Sequence, residues 1–308
     1  MKQNRYDTIV LGGGLAGIAS ALRRRKRGEK VLLLEKNDHL GGKLDFYKWK
    51  GYRWDKGPSL FTLPKLVDEL FELFDKNPKD YFDYRLIDEN CRYYFPDGTH
   101  FIFYADQVKR QNALSPFFSK EKTKLVENYI QKIGSTYNAI GDLFIGCPKR
   151  GFKDFFKREI LRQYPKFVSR QMLLSLNSYN ERMLSDPKLV QLFNRYGTYN
   201  GSNPYKMSGL YSMIPHLELN LGTYFPVGGM RAVVDALSTL AVEVEVEVKC
   251  NQNVEKIQKN GGVFKVKMEG TEAIADQFIC AIDHTNFYKH VMFDRKMIEK
   301  YEDRERST

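Results

Sequence analysis

Two short apolar runs near the start of the chain flank a segment with helical spacing. Residues 7–11 form the first run and end at a glycine cluster, and residues 30–34 form the second. Between them, residues 15–27 place apolar side chains at helical intervals, and Gly28 stands where such a helix would end. Continuous apolar runs of this length are typical of buried parallel strands. The pattern therefore predicts a βαβ unit.

Further along the chain, the pattern alternates between loops, strands and helices. The predicted elements are an irregular glycine-rich segment at 40–59, a helix at 63–74, a hairpin at 81–104 with its turn at Pro96-Asp97-Gly98, helices over 115–192 interrupted at Pro148, Pro165 and Pro187, a glycine-rich segment at 222–229, a helix at 231–242, and strands at 242–248, 253–257, 263–268 and 277–282. This order of elements indicates the α/β fold class.

Composition and charge limit the classes of function. With 42 % hydrophobic, 14 % aromatic and 28 % charged residues, the chain has enough apolar material for a globular core. The net charge of +11 fits nucleic acid, an anionic membrane surface or a phosphate-rich cofactor as partners. The one dense basic run, at residues 23–27, lies at the predicted end of a helix, where cations meet the helix dipole favourably. Because no nucleic-acid-binding motif accompanies it, we expect no nucleic acid partner.

The residue types that bind metals or act as nucleophiles form no recognisable motif. The four cysteines are far apart without a C-x-x-C pair, the five histidines are scattered, and no G-x-S-x-G sequence occurs. The sequence therefore predicts no metal site and a reduced, cytoplasmic setting. No apolar run reaches the ~20 residues that a membrane-spanning helix needs, so we expect any membrane contact to be peripheral.

The first motif that carries chemistry is Gly12-x-Gly14-x-x-Gly17, which follows the first predicted strand and opens the predicted helix. A dinucleotide-binding turn requires this context. The first glycine permits the tight turn, the second lets the backbone approach a pyrophosphate, and the third allows the helix to pack closely on the strand. The helix N-terminus offers free N–H groups to the phosphates. A glycine-rich turn without a ligand is the alternative.

Three further features narrow the ligand. Glu35 ends the second predicted strand, 18 positions after Gly17, where an acid bonds the ribose hydroxyls of an adenosine and repels the 2′-phosphate of NADP. The sequence Leu40-Gly41-Gly42-Lys43 follows shortly after. FAD has a longer reach than NAD, and a second glycine loop followed by a cation can contact its phosphate or ribityl region. The turn Asp55-Lys56-Gly57-Pro58-Ser59 is rigid and exposes its backbone. Together these features favour FAD, against the alternative of a surface acid and ordinary turns.

With these motifs, the sequence resembles the phytoene-desaturase-type carotenoid oxidoreductases, which belong to the wider amine-oxidase-like flavoprotein group. The resemblance covers about residues 5 to 285 and is carried by residues 7–59, by residues 186–205, and by residues 222–230, which include Tyr-Phe-Pro-Val-Gly-Gly-Met. Residues 57–62 and 199–204 look most like the desaturases of hydroxylated carotenoid ends.

This resemblance implies a doubly wound, Rossmann-like FAD-binding domain of the amine-oxidase-like flavoprotein type, built from residues 1–65 and 220–285. Residues 66–219 would form an inserted mixed and helical substrate region that contacts a membrane, because carotenoids are dissolved there. Residues 286–308 would begin a C-terminal part that continues in the family's longer chains and closes over the flavin.

The resemblance also implies a set of cofactor-binding residues. The set comprises Gly12, Gly14, Leu15, Ala16 and Gly17 for the pyrophosphate, Glu35 for the ribose with Lys36 beside it, Gly42 and Lys43 along the phosphates, Gly57, Pro58 and Ser59 near the flavin, and Val254, whose backbone would contact adenine. Lys43 stands where the family more often has arginine, which would form a bidentate fork, and Lys56 stands where a small residue is usual.

The implied reaction is FAD-dependent desaturation of a carotenoid, in which a hydride passes from an allylic C–H to the flavin and a proton leaves the neighbouring carbon. The implied partners are the carotenoid and the cytoplasmic face of a membrane. Whether a quinone or oxygen reoxidises the flavin stays open, and no catalytic side chain is named. The alternatives are a carotenoid isomerase or a flavin amine oxidase on the same scaffold, and an inactive, FAD-poor fragment.

Overall fold

The computed structural model describes residues 4–145 and 173–302. The chain divides into two compact units. We call the first, Met1–Arg85 with Tyr224–Glu305, the sheet unit, and the second, Leu86–Thr223, the helical unit. The assignment of one unit to the cofactor and the other to the substrate stays a prediction.

The described elements follow one another along the chain as short strands and helices. The strands are β1 (Asn4–Leu11), β2 (Val31–Leu34), β3 (Phe46–Trp49), β4 (Tyr52–Asp55), β5 (Tyr84–Ile87), β6 (Glu89–Tyr94), β7 (His100–Tyr104), β8 (Thr223–Pro226), β9 (Glu247–Lys249), β10 (Val254–Asn260), β11 (Val263–Met268) and β12 (Thr271–Cys280). The helices are α1 (Leu15–Arg25), α2 (Lys65–Glu72), α3 (Gln107–Leu114), α4 (Lys120–Ile145), α5 (Leu176–Leu184), α6 (Pro187–Asn194), α7 (Pro215–Leu219), α8 (Arg231–Glu243), α9 (His284–Phe287) and α10 (Arg295–Glu302), with 3₁₀ segments at Pro78–Asp80, Arg195–Asn200 and Gly209–Met213 and a π turn at Tyr288–Met292.

A six-stranded sheet in the order β10-β11-β12-β1-β2-β9 is the framework of the sheet unit. Strands β12, β1, β2 and β9 run parallel, whereas β10, β11 and β12 form an antiparallel meander. Ile9 at the centre of β1 pairs with Leu32 on one side and with Phe278 on the other. The predicted βαβ unit is confirmed as β1, α1 and β2. The carboxyl ends of the parallel strands therefore meet at one edge, where ligands bind in open α/β sheets.

Alternate residues of the central strands pack on opposite faces of this sheet. Val10, Val31 and Leu33 join a hydrophobic cluster with α1 and α8. Ile9 and Leu32 point the other way and pack with residues of β10, β11 and β12. On the second face, residues of β10, β11 and β12 pack together with Val291 of the π turn and Phe287 of α9, so strands and helical segments both contribute to this cluster.

Two local predictions for the sheet unit are wrong. Residues 40–59 are not irregular throughout, because β3 and β4 pair across a turn at Lys50 and Gly51, whose φ angles are 47° and 82°. Such positive values suit the tight turns of two-residue hairpins. Residues 242–248 are not one strand, because α8 continues to Glu243 and β9 contains three residues. The buried side chains of Leu240 and Ala241 extend the apolar face of α8 and favour the helix.

The helical unit combines a hairpin with helices α3 to α7. Strands β6 and β7 pair around the predicted turn at residues 96–98, so this hairpin is confirmed, although it begins at Glu89 and not at residue 81. Its core includes the fully buried rings of Tyr129 and Phe193. Pro187 begins α6, as its helix-breaking character predicts. The predictions at Pro148 and Pro165 lie outside the described residues.

Candidate functional site

The glycine turn between β1 and α1 is closed to side chains at two of its three motif positions. Gly12 has a φ of 105°, and a Cβ there would lie 2.6 Å from Cγ2 of Ile282. A Cβ at Gly17 would overlap the carbonyl oxygen of Gly12, so only glycine lets α1 pack this closely on the turn. A Cβ at Gly14 would meet no atom within 4 Å. The open space of the turn therefore lies over Gly14.

The N-terminus of α1 faces this space. Gly14 is its N-cap residue, and no side chain caps the helix or places an acid in its first turn. Leu15 is half-buried against the core and Ala16 is exposed. The free N–H groups and the positive end of the helix dipole are therefore available to an anionic group such as a pyrophosphate.

Glu35 lies just after β2 and is nearly buried, with 5 % of its surface exposed. One carboxylate oxygen accepts a hydrogen bond from the N–H of Gly13 (2.7 Å), and the other accepts one from the N–H of Asn37 (2.9 Å). These bonds fix the carboxylate beside the glycine turn. Each oxygen keeps lone pairs that could accept further bonds from ribose hydroxyls. Lys36, the next residue, is exposed.

The second glycine loop lies directly against the first. The N–H of Gly41 donates to the carbonyl oxygen of Gly13 (2.8 Å). Gly42 has a φ of 57°, and a Cβ there would come within 3.2 Å of the Cα of Gly14. Lys43 follows and is exposed. The two loops therefore form one surface made mainly of backbone.

The Gly-Pro turn joins the same surface. A Cβ at Gly57 would overlap the carbonyl oxygen of Lys43, so glycine is required for this contact. Pro58 and Ser59 are exposed beyond it. The structure thus brings the predicted site residues between Gly12 and Ser59 into a continuous region of the sheet unit.

Val254 comes much later in the chain, two residues after Gln252. It begins β10, is buried, and packs among the side chains on the meander side of the sheet. The chain reaches it after passing Glu35, whose carbonyl oxygen accepts a hydrogen bond from the N–H of Gln252 (2.9 Å). Its contact with adenine stays a prediction.

Sequence reasoning missed the role of the Asp55 carboxylate. This side chain accepts a hydrogen bond from the N–H of Met230 (3.0 Å) at the N-terminus of α8, and it also contacts the guanidinium of Arg53 (3.2 Å). Arg53 donates in turn to the carbonyl oxygen of Gly228. A Cβ at Gly229 would lie 2.6 Å from Arg53. These contacts join two segments that are far apart in the sequence, the Gly-Pro turn and the Gly-Gly-Met segment.

The carboxylate of Asp45 lies near three basic side chains beside the second glycine loop. Its carboxylate contacts Lys56 (2.9 Å), His39 (3.4 Å) and Arg231 (3.9 Å). The hydrogen bond from Lys56 is the main cause that lowers the pKa of Asp45. Lys56 therefore has a local role, because it links the end of β4 to the residue that precedes β3.

The polar side chains of the helical unit mostly bind one another. Glu218 is almost fully buried and accepts hydrogen bonds from Tyr196 (2.9 Å), Arg195 (3.2 Å) and Tyr199. Burial, with the nearby charge of Glu218, raises the pKa of Tyr196 well above its usual value. A cavity of about 820 Å³ opens near Arg195. Its lining includes several amides and acids, among them Asn177, Glu181 and Asp186.

Within residues 4–145 and 173–302, no three His, Cys, Asp or Glu side chains gather closely enough to hold a metal ion. Over the same described residues, no helix has both the length and the apolar character needed to cross a bilayer.

A parallel sheet with two glycine loops and a buried acid at its carboxyl edge is the arrangement of dinucleotide-binding α/β domains. The sequence profile of the flavin containing amine oxidoreductases matches residues 15–304. The chain therefore belongs to this family, and the predicted fold class is confirmed.

Characterised relatives are similar over almost the whole chain. It is 40 % identical over 301 residues to the 1-hydroxycarotenoid 3,4-desaturase of Flavobacterium sp. (strain P99-3), which covers 97 % of this chain and 61 % of the relative. It is 28 % identical over 298 residues to the carotenoid 3,4-desaturase of Haloarcula japonica, which covers 96 % of this chain and 59 % of the relative. The chain thus spans about three fifths of the length of these relatives.

The fold is also similar to solved structures. Putrescine oxidase bound to putrescine superposes with a TM-score of 0.63 at 16 % sequence identity, over 93 % of this chain and 60 % of that protein. This similarity supports the fold and carries no information about the substrate.

Proposed function

We propose that this chain forms the FAD-binding part of an enzyme that desaturates a carotenoid. The observation that carries the proposal is the 40 % identity to a 1-hydroxycarotenoid 3,4-desaturase across 97 % of this chain. The glycine loops and Glu35 support it, because they offer what a dinucleotide of the size of FAD requires. A carotenoid with a hydroxylated end is the proposed substrate.

The residues present fit FAD on structural grounds. The pyrophosphate would lie over Gly14 at the N-terminus of α1, where a Cβ would meet open space. Glu35 would bind the ribose of the adenosine half and would repel a 2′-phosphate. Gly42 and Lys43 would extend the backbone surface along the phosphates, and residues 57–59 would lie near the flavin.

FAD would supply the oxidising chemistry, as the acceptor for a hydride from an allylic C–H of the polyene, with loss of a proton from the adjacent carbon. The described residues would hold the cofactor in position through backbone groups and the Glu35 carboxylate. A hydrocarbon has few polar handles, so positioning and exclusion of water matter more than an acid–base pair. A quinone or oxygen would take the electrons from the reduced cofactor.

The proposed partners follow from the substrate. A carotenoid is dissolved in the bilayer, so the enzyme would meet it from the cytoplasmic face as a peripheral protein. The net charge of +11 supports attraction to anionic lipid.

The first test concerns the cofactor. We expect the purified protein to be yellow and to bind FAD in a titration followed by flavin absorbance. Glu35→Gln should weaken FAD binding by roughly 10- to 100-fold, because the charge that holds the ribose hydroxyls is lost. The control is Glu121→Gln, an exposed acid in the helical unit, which should leave the affinity unchanged. A colourless protein that cannot be reconstituted with FAD would refute the proposal for this chain.

The second test concerns the substrate. The flavin-loaded protein is incubated with lycopene, phytoene or a 1-hydroxycarotenoid in liposomes, and absorption spectra are recorded. We expect a red-shifted product from the 1-hydroxycarotenoid, because an added double bond lengthens the polyene. Geometric isomerisation without a lengthened polyene would point to an isomerase. Oxidation of a primary amine without any carotenoid product would point to an amine oxidase.

A further inference from the structure

The β3–β4 hairpin carries a contiguous exposed aromatic face. Tyr47 pairs with Trp54 and Trp49 pairs with Tyr52 across the strands, which places the four rings on one face of the hairpin. Each of them is 48 to 66 % exposed. The ring of Trp54 stacks on those of Tyr47 (6.1 Å) and Tyr52 (5.7 Å). We call these four residues the aromatic face.

The other face of the hairpin is cationic and attached to the sheet unit. Lys48 and Arg53 pair across the strands on that face, and both lie over the ring of Phe46, at 5.1 and 4.8 Å. Arg53 also binds the carbonyl oxygen of Gly228, which anchors the hairpin. Lys50 stands at the tip, with its Nζ 4.6 Å from the ring centroid of Trp49. The hairpin is therefore amphipathic, with its anchor on the cationic side.

The size of the aromatic face suggests that it has a partner. If each ring exposes about half of the ~200 Å² of a large aromatic side chain, the four together expose roughly 400 Å². Apolar patches of this size on soluble proteins often mark interaction sites.

The chemistry of the hairpin favours a lipid surface over other partners. Tryptophan and tyrosine have polar ring atoms on apolar bodies and concentrate at membrane–water interfaces. Elements that lie in that interface have aromatic residues on one face and Lys or Arg on the other, which is the arrangement seen here. Single-stranded nucleic acid requires a row of cations along the stacking rings to follow the phosphates, whereas Lys48 and Arg53 lie on the opposite face and Lys50 stands at the tip beside Trp49.

We propose that the β3–β4 hairpin docks the sheet unit on anionic phospholipid bilayers by laying its aromatic face at the boundary between headgroups and acyl chains. The inference rests on the proposed function, since it names the element that contacts the proposed membrane partner. The rings enter the interface to a depth of about 5–10 Å. Lys48 and Lys50 stay level with the lipid phosphates, so binding weakens as salt rises.

The test uses the chain's own fluorescence. The chain has two tryptophans, and both are on the aromatic face, so tryptophan emission reports on this hairpin alone. We expect vesicles of phosphatidylcholine with phosphatidylglycerol to shift the emission to shorter wavelength, and brominated lipids to quench it. Vesicles of phosphatidylcholine alone should bind more weakly, and the difference should fall between about 0.05 and 0.5 M NaCl.

The matched variants keep both tryptophans as reporters. Tyr47→Ser with Tyr52→Ser should weaken vesicle binding by about tenfold or more, because apolar area in the interface is lost. The control, Tyr94→Ser with Tyr205→Ser, removes two equally exposed tyrosines outside the hairpin and should bind like the parent protein. Lys48→Glu with Lys50→Glu should abolish the preference for anionic vesicles.

Several results would overturn the inference. The first is tryptophan emission that does not change when vesicles are added, and the second is a Tyr47/Tyr52 variant that binds vesicles like the parent protein. The third is a lipid-free dimer in which the tryptophans are already shielded from acrylamide. The fourth is oligonucleotide binding that is tighter than vesicle binding. Carotenoid turnover in detergent micelles is measured in parallel. Turnover without vesicle binding would refute the inference about the hairpin but not the proposed reaction. Vesicle binding without turnover would refute the proposed reaction but not the inference about the hairpin.

Discussion

The two units of the molecule use polar groups in opposite ways. In the sheet unit, the key contacts run through the main chain, as when the N–H of Gly41 meets the carbonyl oxygen of Gly13 and the N–H of Met230 meets Asp55. In the helical unit, side chains bind one another, and one example is a continuous chain of hydrogen bonds. It runs from Tyr129 to Asn180 (2.6 Å), from Asn180 to Asn194 (2.8 Å) and from Asn194 to Asn177 (2.7 Å).

This difference predicts opposite sensitivities to mutation. Where backbone segments are in close contact, an added methyl group has no space, so substitutions that enlarge a residue should destabilise the sheet unit. Where buried side chains hydrogen-bond to each other, removing one polar group leaves its partner unpaired, so substitutions that shorten a polar side chain should destabilise the helical unit.

The largest effect should come from Gly17→Ala in the sheet unit. The new Cβ would overlap the carbonyl oxygen of Gly12, and α1 could not keep its place on the sheet. We expect a loss of about 4 kcal/mol or more in the free energy of unfolding, measured by urea titration followed by hydrogen exchange of the β1 amides.

Gly14→Ala is the matched control within the same motif. Its Cβ would meet no atom within 4 Å, and its φ of −71° suits alanine. The free energy of unfolding should change by less than about 1 kcal/mol, while FAD binding should fall sharply, because the methyl occupies the space over the turn. Equal destabilisation by both changes would break the comparison.

A somewhat smaller effect should follow from Arg110→Met in the helical unit. Arg110 and Glu127 form a buried ion pair (2.6 Å), with side chains 3 and 8 % exposed. Removing the guanidinium leaves a buried carboxylate without its partner and frees the carbonyl oxygens of Tyr104 and Ala105. We expect a loss of about 3–5 kcal/mol, measured by the helical circular dichroism signal in urea.

The companion variant, Arg110→Met with Glu127→Leu, should recover part of that loss, because no buried charge remains. If the double variant is less stable than the single one, the carboxylate has another partner and the account of this pair is wrong.

The smallest effect concerns the pH dependence of α6. Asp186 caps this helix through the N–H of Lys188 (3.0 Å) and binds the Nζ of Lys122 (2.5 Å). Burial opposes its ionisation, but the hydrogen bonds from Lys122 and from the helix N–H groups outweigh this and lower its pKa below the usual 3.8. Its stabilising contribution is therefore complete above about pH 4 and is lost as the pH falls through the lowered value.

Asp186→Asn keeps the cap but removes the charge. We expect it to cost about 0.5 kcal/mol at pH 7 and to flatten the stability curve below pH 4, as followed by thermal unfolding. A variant with the same acid-side slope as the parent would show that other carboxylates control this region.

The same contrast explains which features could be predicted. Gly12 and Gly17 could be predicted because close contacts at these positions admit glycine alone, and glycine is visible in a sequence. The hydrogen-bond partner of the Met230 N–H could not be predicted from the sequence. Asp55 lies 175 positions away, and any of the 38 acids of the chain could have filled that place.

The β3–β4 hairpin was missed for another reason. The glycines at 40–59 suggested a loop, although the aromatic residues alternate with polar ones on both sides of Lys50-Gly51. That alternation with a two-residue turn predicts a hairpin, and it outweighs glycine content as a signal. The meander on the second sheet face was predicted as separate strands, but no local pattern states which face a strand will cover.

The position of β12 between β11 and β1 has a consequence for synthesis in the cell. Arg5 on β1 binds Asp276 on β12 (2.7 Å), 271 positions later. At roughly 5–20 residues per second, a ribosome needs on the order of 10–50 s to make the intervening chain. During that time β1 has one open, apolar edge that can pair with other nascent chains. The yield of folded protein should therefore depend on translation rate and on the crowding of ribosomes, even when the finished protein is stable.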